Sequence, residues 1–194
     1  MVVLVPFLNR VVAAVLFSAA LSVPAPAQDA PAPVPQPQTE AELLADLARP
    51  DNRAWRRTQR ALEMEWGRSG SAAMDLLLQR GRDALADGDP MAAIEHLTAL
   101  TDHAPDFAEG WNARAAAFFA AGYYGPAIDD IARALTLNPH HFMALAGLGA
   151  IREEAGQDRR ALDAYLAALA IHPHLEALKQ AVARLKAKTD GLEL

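Results

Sequence analysis

Residues 112–139 read NARAAAFFAAGYYGPAIDDIARALTLNP, and almost every special residue in this stretch has counterparts 34 positions before and after it. Pro139 lies between Pro105 and Pro173, and Gly122 between Gly88 and Gly156, each 34 apart. Ala127 aligns with Ala93 and Ala161, Ile131 with Leu97 and Tyr165, and Ala134 with Leu100 and Ala168. Ala115 aligns with Gly81 and Gly149, and just upstream Trp111 aligns with Leu77 and Leu145. A fixed period of this length marks a chain built from stacked supersecondary units.

Each column has a mechanical reason. Small residues at Gly81, Ala115 and Gly149 let the first helix of a unit approach the second, and Ala93, Ala127 and Ala161 serve the same contact from the other side. Gly88, Gly122 and Gly156 fall where the first helix ends, and a residue free to adopt positive φ reverses the chain there within a few residues. Pro105, Pro139 and Pro173 interrupt the helix in the link to the next unit. No stretch alternates apolar and polar residues with Val, Ile or Thr enrichment, so strands are not expected.

The rows resemble the tetratricopeptide repeat at most of its signature positions, over residues 74–107, 108–141 and 142–175. The departures are Arg80 and Arg114 where the family has leucine, and Ala84 and Arg152 where it has tyrosine or phenylalanine, all expected to weaken local packing. The resemblance implies an all-α, right-handed solenoid of three helix hairpins, in which the first helices line a concave wall that holds a peptide or helix of another protein. Carried over residue by residue, that wall comprises Asp75, Leu78, Arg82 and Leu85, then Glu109, Asn112, Ala116 and Phe119, then Met143, Ala146, Ala150 and Glu153. Phe119, Asn112, Arg82 and Leu78 are expected to carry most of the contact. One variant of this cradle clamps a terminal carboxylate with lysines, an arginine and asparagines. The first lysine here is Lys179, beyond the third repeat, so that clamp is not expected.

The flanks read differently. Residues 1–27 have the form of a cleavable export signal, with Arg10, an apolar run and an Ala25-Pro26-Ala27 cleavage site, so a periplasmic protein is expected, meeting a membrane only if the signal stays attached. Residues 28–38 continue a proline-rich linker. Residues 39–69 read as two helices, the first capped by Thr39 and the second by Asp51 or Asn52, that cover the open end of the first repeat or form a degenerate repeat. Ser71 is a candidate cap for the helix after them. Residues 176–189, with Leu178, Val182 and Leu185 on one stripe, read as a capping helix at the other end.

Composition removes several classes of function. The formal charge of −6 repels nucleic acid, and the absence of cysteine excludes disulfides, thiolate catalysis and iron–sulfur ligation. No nucleophile elbow, phosphate loop or metal-ligand motif is present, so neither an enzyme nor a cofactor is expected. The leading reading is an adaptor. The alternative is an assembly protein that self-associates, or is tethered to an anionic envelope polymer, through the arginine stripe Arg49, Arg53, Arg56, Arg57 and Arg60. Those arginines are otherwise expected to pair with Asp46, Asp51, Glu63 and Glu65. His103, His140, His141, His172 and His174 cluster near the inter-repeat links and are expected to be solvated, with no metal bound. Nothing in the sequence sets an oligomeric state.

Overall fold

A computed structural model describes residues 38–190; the residues expected to form an export signal and most of the proline-rich stretch lie outside them. The described chain is all helix: α1 (Glu40–Ala48), α2 (Trp55–Trp66), α3 (Ala72–Ala86), α4 (Pro90–His103), α5 (Ala108–Ala120), α6 (Tyr124–Leu137), α7 (Phe142–Glu154), α8 (Asp158–Ile171) and α9 (Glu176–Asp190). The pairs α3/α4, α5/α6 and α7/α8 form three hairpins, and α3, α5 and α7 lie side by side as the inner layer of the solenoid.

The hairpin turns are built three times over in the same way. Gly88, Gly122 and Gly156 have φ of +78°, +79° and +69°. In each turn the residue after the glycine donates to a carbonyl five positions back, as Tyr123 does to Phe118, and the glycine donates three back, as Gly122 does to Phe119. These paired bonds satisfy carbonyls that the helix end would leave without partners.

The close approach of paired helices is equally regular, with one change from the sequence reading. A Cβ on Gly81 would overlap the side chain of Leu97, and one on Gly149 would overlap the ring of Tyr165. The small-residue column therefore meets the Leu97 and Tyr165 positions most closely, with Ala93 and Ala127 buried in the same clusters. Around these contacts the core forms successive clusters that bridge neighbouring hairpins: Leu78, Leu97 and Leu100 with Ala113 and Ala117 of α5, Ile131 with Ala144 and Ile151 of α7, and Tyr165 with Val182 and Leu185 where α9 covers α8.

Arg114, expected to weaken packing, instead supports it. Its guanidinium makes a two-pronged bond to Asp130 at 2.7 and 2.8 Å, donates to the Thr101 hydroxyl, and lies over the rings of Trp111 and Phe118. Charge, fork geometry and stacking replace what a leucine would contribute by burial.

The N-terminal helices depart most from expectation. They do not cover the open end of the first hairpin; α1 packs against α8, and Leu43, Leu47 and Leu62 form a core with Phe142 at the start of α7, Ile171 at the end of α8 and Leu175 just beyond it. Thr39 caps α1 through a capping box with Glu42. The later caps are misplaced by the sequence reading. α2 begins one residue after Ala54, and buried Asn52 ties the turn together, accepting from the Ala54 amide and donating to the Asp46 carbonyl. Ser71 precedes α3 without making a side-chain cap bond, because Ser69 bonds Asp75 instead.

Candidate partner-binding site

On the inner layer, small side chains on facing helices leave an opening. Ala116 on α5 and Ala146, Gly147 and Ala150 on α7 surround a cavity of about 280 Å³, flanked by Phe119, Met143 and Asn112 and backed by Ile131 and Ile151. Phe119 is steadied by Tyr124, whose ring centre is 5.8 Å away, and Met143 is 45% exposed at the rim. The volume falls below the usual 300–1,000 Å³ of metabolite sites and suits one or two apolar side chains.

A second cavity of about 320 Å³ shares Asn112 and Met143 with the first and is otherwise polar, lined by Arg82, Glu109 and His141, with Glu63 and Trp66 contributed by α2. Its centre is the buried carboxylate of Glu109. Arg82 donates to one oxygen at 2.5 Å, while His141 Nε2 and Asn112 Nδ2 reach the other at 2.7 and 3.1 Å. His141 Nδ1 accepts the Ala144 amide at the start of α7, which leaves the ring proton on Nε2 to be donated to Glu109. Burial pushes the Glu109 carboxyl up, but the hydrogen bond from His141 and the charge and hydrogen bond of Arg82 outweigh it and hold the group below its ordinary value. Trp66 stacks on the other side of His141, ring centres 4.9 Å apart, and closes this end of the wall.

The residues expected on the wall thus separate. Asn112, Phe119 and Met143 come together around the apolar cavity with Ala116, Ala146 and Ala150, whereas Arg82 and Glu109 bond each other in the polar one. Leu78 is not a wall residue: it is 2% exposed, because a side chain of its length reaches across to Ala113 and Ala117 on α5. Leu85 is half-buried against the same cluster. Asp75 accepts from the Ser69 hydroxyl and amide, which hold its carboxyl below the ordinary value. Glu153 accepts from Tyr165 and Arg184.

The arginines do not form one helical stripe. Arg49 caps α1 and pairs with Asp46, Arg53 lies in the turn, and only Arg56, Arg57 and Arg60 belong to α2. The histidines are also corrected. His141 and His172 are 2% and 0% exposed, and both are built into the seat of the α1–α2 hairpin. His172 donates to Gln59, His174 donates to the Arg49 carbonyl, and Trp55 packs edge-on to His172 and parallel to His174. Among the described residues no group of three or more His, Asp or Glu side chains stands close enough to hold a metal ion. Sequence reading missed Trp66 and His141 as the closing pair of the wall. Their only signal was a tryptophan on the apolar face of α2 and a histidine outside the repeat columns.

Three stacked hairpins with an open cavity on the inner layer define a helical-repeat scaffold. The tetratricopeptide-repeat family model matches residues 78–136 and 124–176, and the chain belongs to that family. It is similar to a TPR repeat-containing protein of Rhizobium etli, 35% identical over 130 residues; the match covers 67% of this chain and 64% of that protein, so the chain spans just under two thirds of that relative. Among solved structures it is similar to the Sgt2 TPR domain from Aspergillus fumigatus, at 25% identity and TM-score 0.60, over 63% of this chain and 83% of that one. The first TPR of Spaghetti (RPAP3), bound to an HSP90 peptide, superposes with TM-score 0.59 at 22% identity, over 62% of this chain and 95% of that one, which speaks to the fold alone.

Proposed function

We propose that this chain is a non-enzymatic adaptor that holds a peptide or helix of an envelope protein on the inner wall, seating one apolar partner side chain between Phe119 and Met143. The observation that carries this reading is the small apolar cavity between α5 and α7, open at a rim where Met143 is exposed. Asn112 stands at its polar end, placed to bond a partner's main chain. Such a constellation of one aromatic, one flexible thioether and one amide is that of a binding anchor.

Membership of the repeat family favours a protein partner. A terminal carboxylate is a poor candidate for this wall. No lysine precedes Lys179, and Arg82 and Asn112 each give a donor to Glu109, whose own carboxylate would repel a terminal carboxylate. Export to the periplasm rests on the signal-like residues 1–27, and amino-terminal sequencing of the protein recovered from the periplasm, expected to begin at Gln28, tests it.

A pull-down from envelope extract tests the groove itself, comparing the native chain with Phe119→Ala/Asn112→Ala and with Ala146→Trp, which fills the cavity. Loss of an anchor of this kind weakens binding by about 2 kcal/mol or more, roughly thirtyfold. A protein retained by the native chain and lost by both variants, with helical circular dichroism unchanged, supports the reading. Equal retention by all three overturns it.

A further inference from the structure

The outer face of α2 carries a feature that the groove does not use. Arg56, Arg57 and Arg60 are exposed on the helix and Arg53 in the turn before it. Among the described residues none of these four makes an ion pair. Several cations elsewhere have taken carboxylate partners: Arg82 has Glu109, Arg114 has Asp130, Arg133 has Asp106 and Lys188 has Asp158. What sets Arg53, Arg56, Arg57 and Arg60 apart is their clustering within eight residues of one another on an exposed turn and helix. The carboxylates of Asp51, Glu63 and Glu65 lie nearby in sequence, yet the four guanidiniums stand apart from them. Arg56 lies over the Trp55 ring, 4.5 Å from its centre, which fixes the plane of the fork and leaves its N–H donors to solvent.

Alongside runs a groove of about 480 Å³ between α1 and α2 that sets Arg57 and Arg68 among Leu43, Ala61 and Met64, with Glu65 and the Arg49–Asp46 pair also on its wall. Met64 is 57% exposed. Unpaired forks beside apolar seats are complementary to a ligand that presents carboxylates and apolar side chains together. A layer of lipid headgroups would satisfy the arginines, but it would leave the apolar seats of the groove between α1 and α2 unfilled. We infer that the α1–α2 hairpin is a second docking surface, separate from the inner wall, for an acidic segment of a partner protein. Carboxylates of that segment bond Arg53, Arg56, Arg57 and Arg60, and an apolar side chain enters the groove at Met64. The opposite face of α2, through Leu62 and Trp66, meanwhile holds the hairpin to α7.

The test is selection of a random-sequence peptide library on the purified chain, with counter-selection on Arg53→Ser/Arg56→Ser/Arg60→Ser. All three side chains are exposed, so the variant is expected to keep the native circular dichroism. Enriched peptides are expected to be acidic with a recurring apolar position and to bind the serine variant at least about tenfold more weakly. They should weaken as salt is raised and bind Phe119→Ala undiminished, which separates this surface from the groove. The inference is overturned by peptides without acidic bias, or by peptides that bind the serine variant equally well. It is also overturned if phosphatidylglycerol vesicles bind through the same arginines more tightly than any selected peptide, which assigns the face to a membrane. Arginine-dependent self-association in sedimentation velocity overturns it in favour of a second copy.

Discussion

At Gly81 and Gly149 the helices of a hairpin approach so closely that one methyl group would collide with the side chain opposite, whereas Gly125, in the first turn of α6, faces open space. Gly149→Val is therefore expected to destabilise the chain by about 1–3 kcal/mol or more through overpacking against Tyr165. Gly125→Ala should stabilise it by about 0.5–1 kcal/mol, since it only removes backbone freedom. Thermal unfolding followed by circular dichroism reads both. His172 gives a second residue-level prediction. Burial, with the charge of His174 adding to it, pulls its imidazole down from 6.5 to about 4. Between those pH values the unfolded chain takes up a proton that the folded chain refuses. Stability from this group is thus full above about pH 6.5 and is lost as pH falls toward 4, at up to about 1.4 kcal/mol per pH unit. Melting curves across that range should show the loss, and His172→Gln should lack this component whatever its absolute stability. The repeat columns were legible because each records a contact between residues close in sequence. Leu78 was misread because its column holds Asn112 and Ala146 in the later hairpins, where a shorter or polar side chain leaves the wall open; only the leucine is long enough to close it.

Among the elements, α2 does two things at once. Its buried face, with Leu62 and Trp66, grips the start of α7 and the end of α8, and its exposed face carries the arginines. Trp66→Ala removes the stack on His141 and the contact with Phe142, and at a half-buried site is expected to weaken the seat by about 2–3 kcal/mol. Limited proteolysis checks this: cleavage in the segment 67–71 should quicken while the three hairpins stay resistant. The existence of these two helices was legible from their apolar spacing and from Thr39. Their placement was not, because their partners lie 113 and 125 positions away, at His172 and His174, and no periodicity reports a contact of that span. The histidines read as solvated for the same reason, since a tryptophan distant in sequence is what buries them.

Across the whole molecule, a row of hairpins touching only its neighbours would unfold from its ends, its stability a sum of local terms. The α1–α2 hairpin changes that, because it joins the α7 and α8 end of the row to a segment that precedes α3 in the chain, with Trp66 also beside Arg82 and Glu109. Native unfolding is expected to be a single sharp transition. Trp55→Ala/Trp66→Ala should broaden it, with far-ultraviolet ellipticity and near-ultraviolet aromatic signal no longer melting together. The same arrangement also dictates an order of events while the chain is being made. α1 and α2 emerge first, yet the surfaces that bury Leu47 and Leu62 belong to residues 142–175, about a hundred positions later. At ribosomal speeds of about 5–20 residues per second, the earliest helices wait roughly 5–20 s with their apolar faces uncovered. In that interval a holding chaperone has a natural point of attachment, and the last hairpin to appear is the one that releases it.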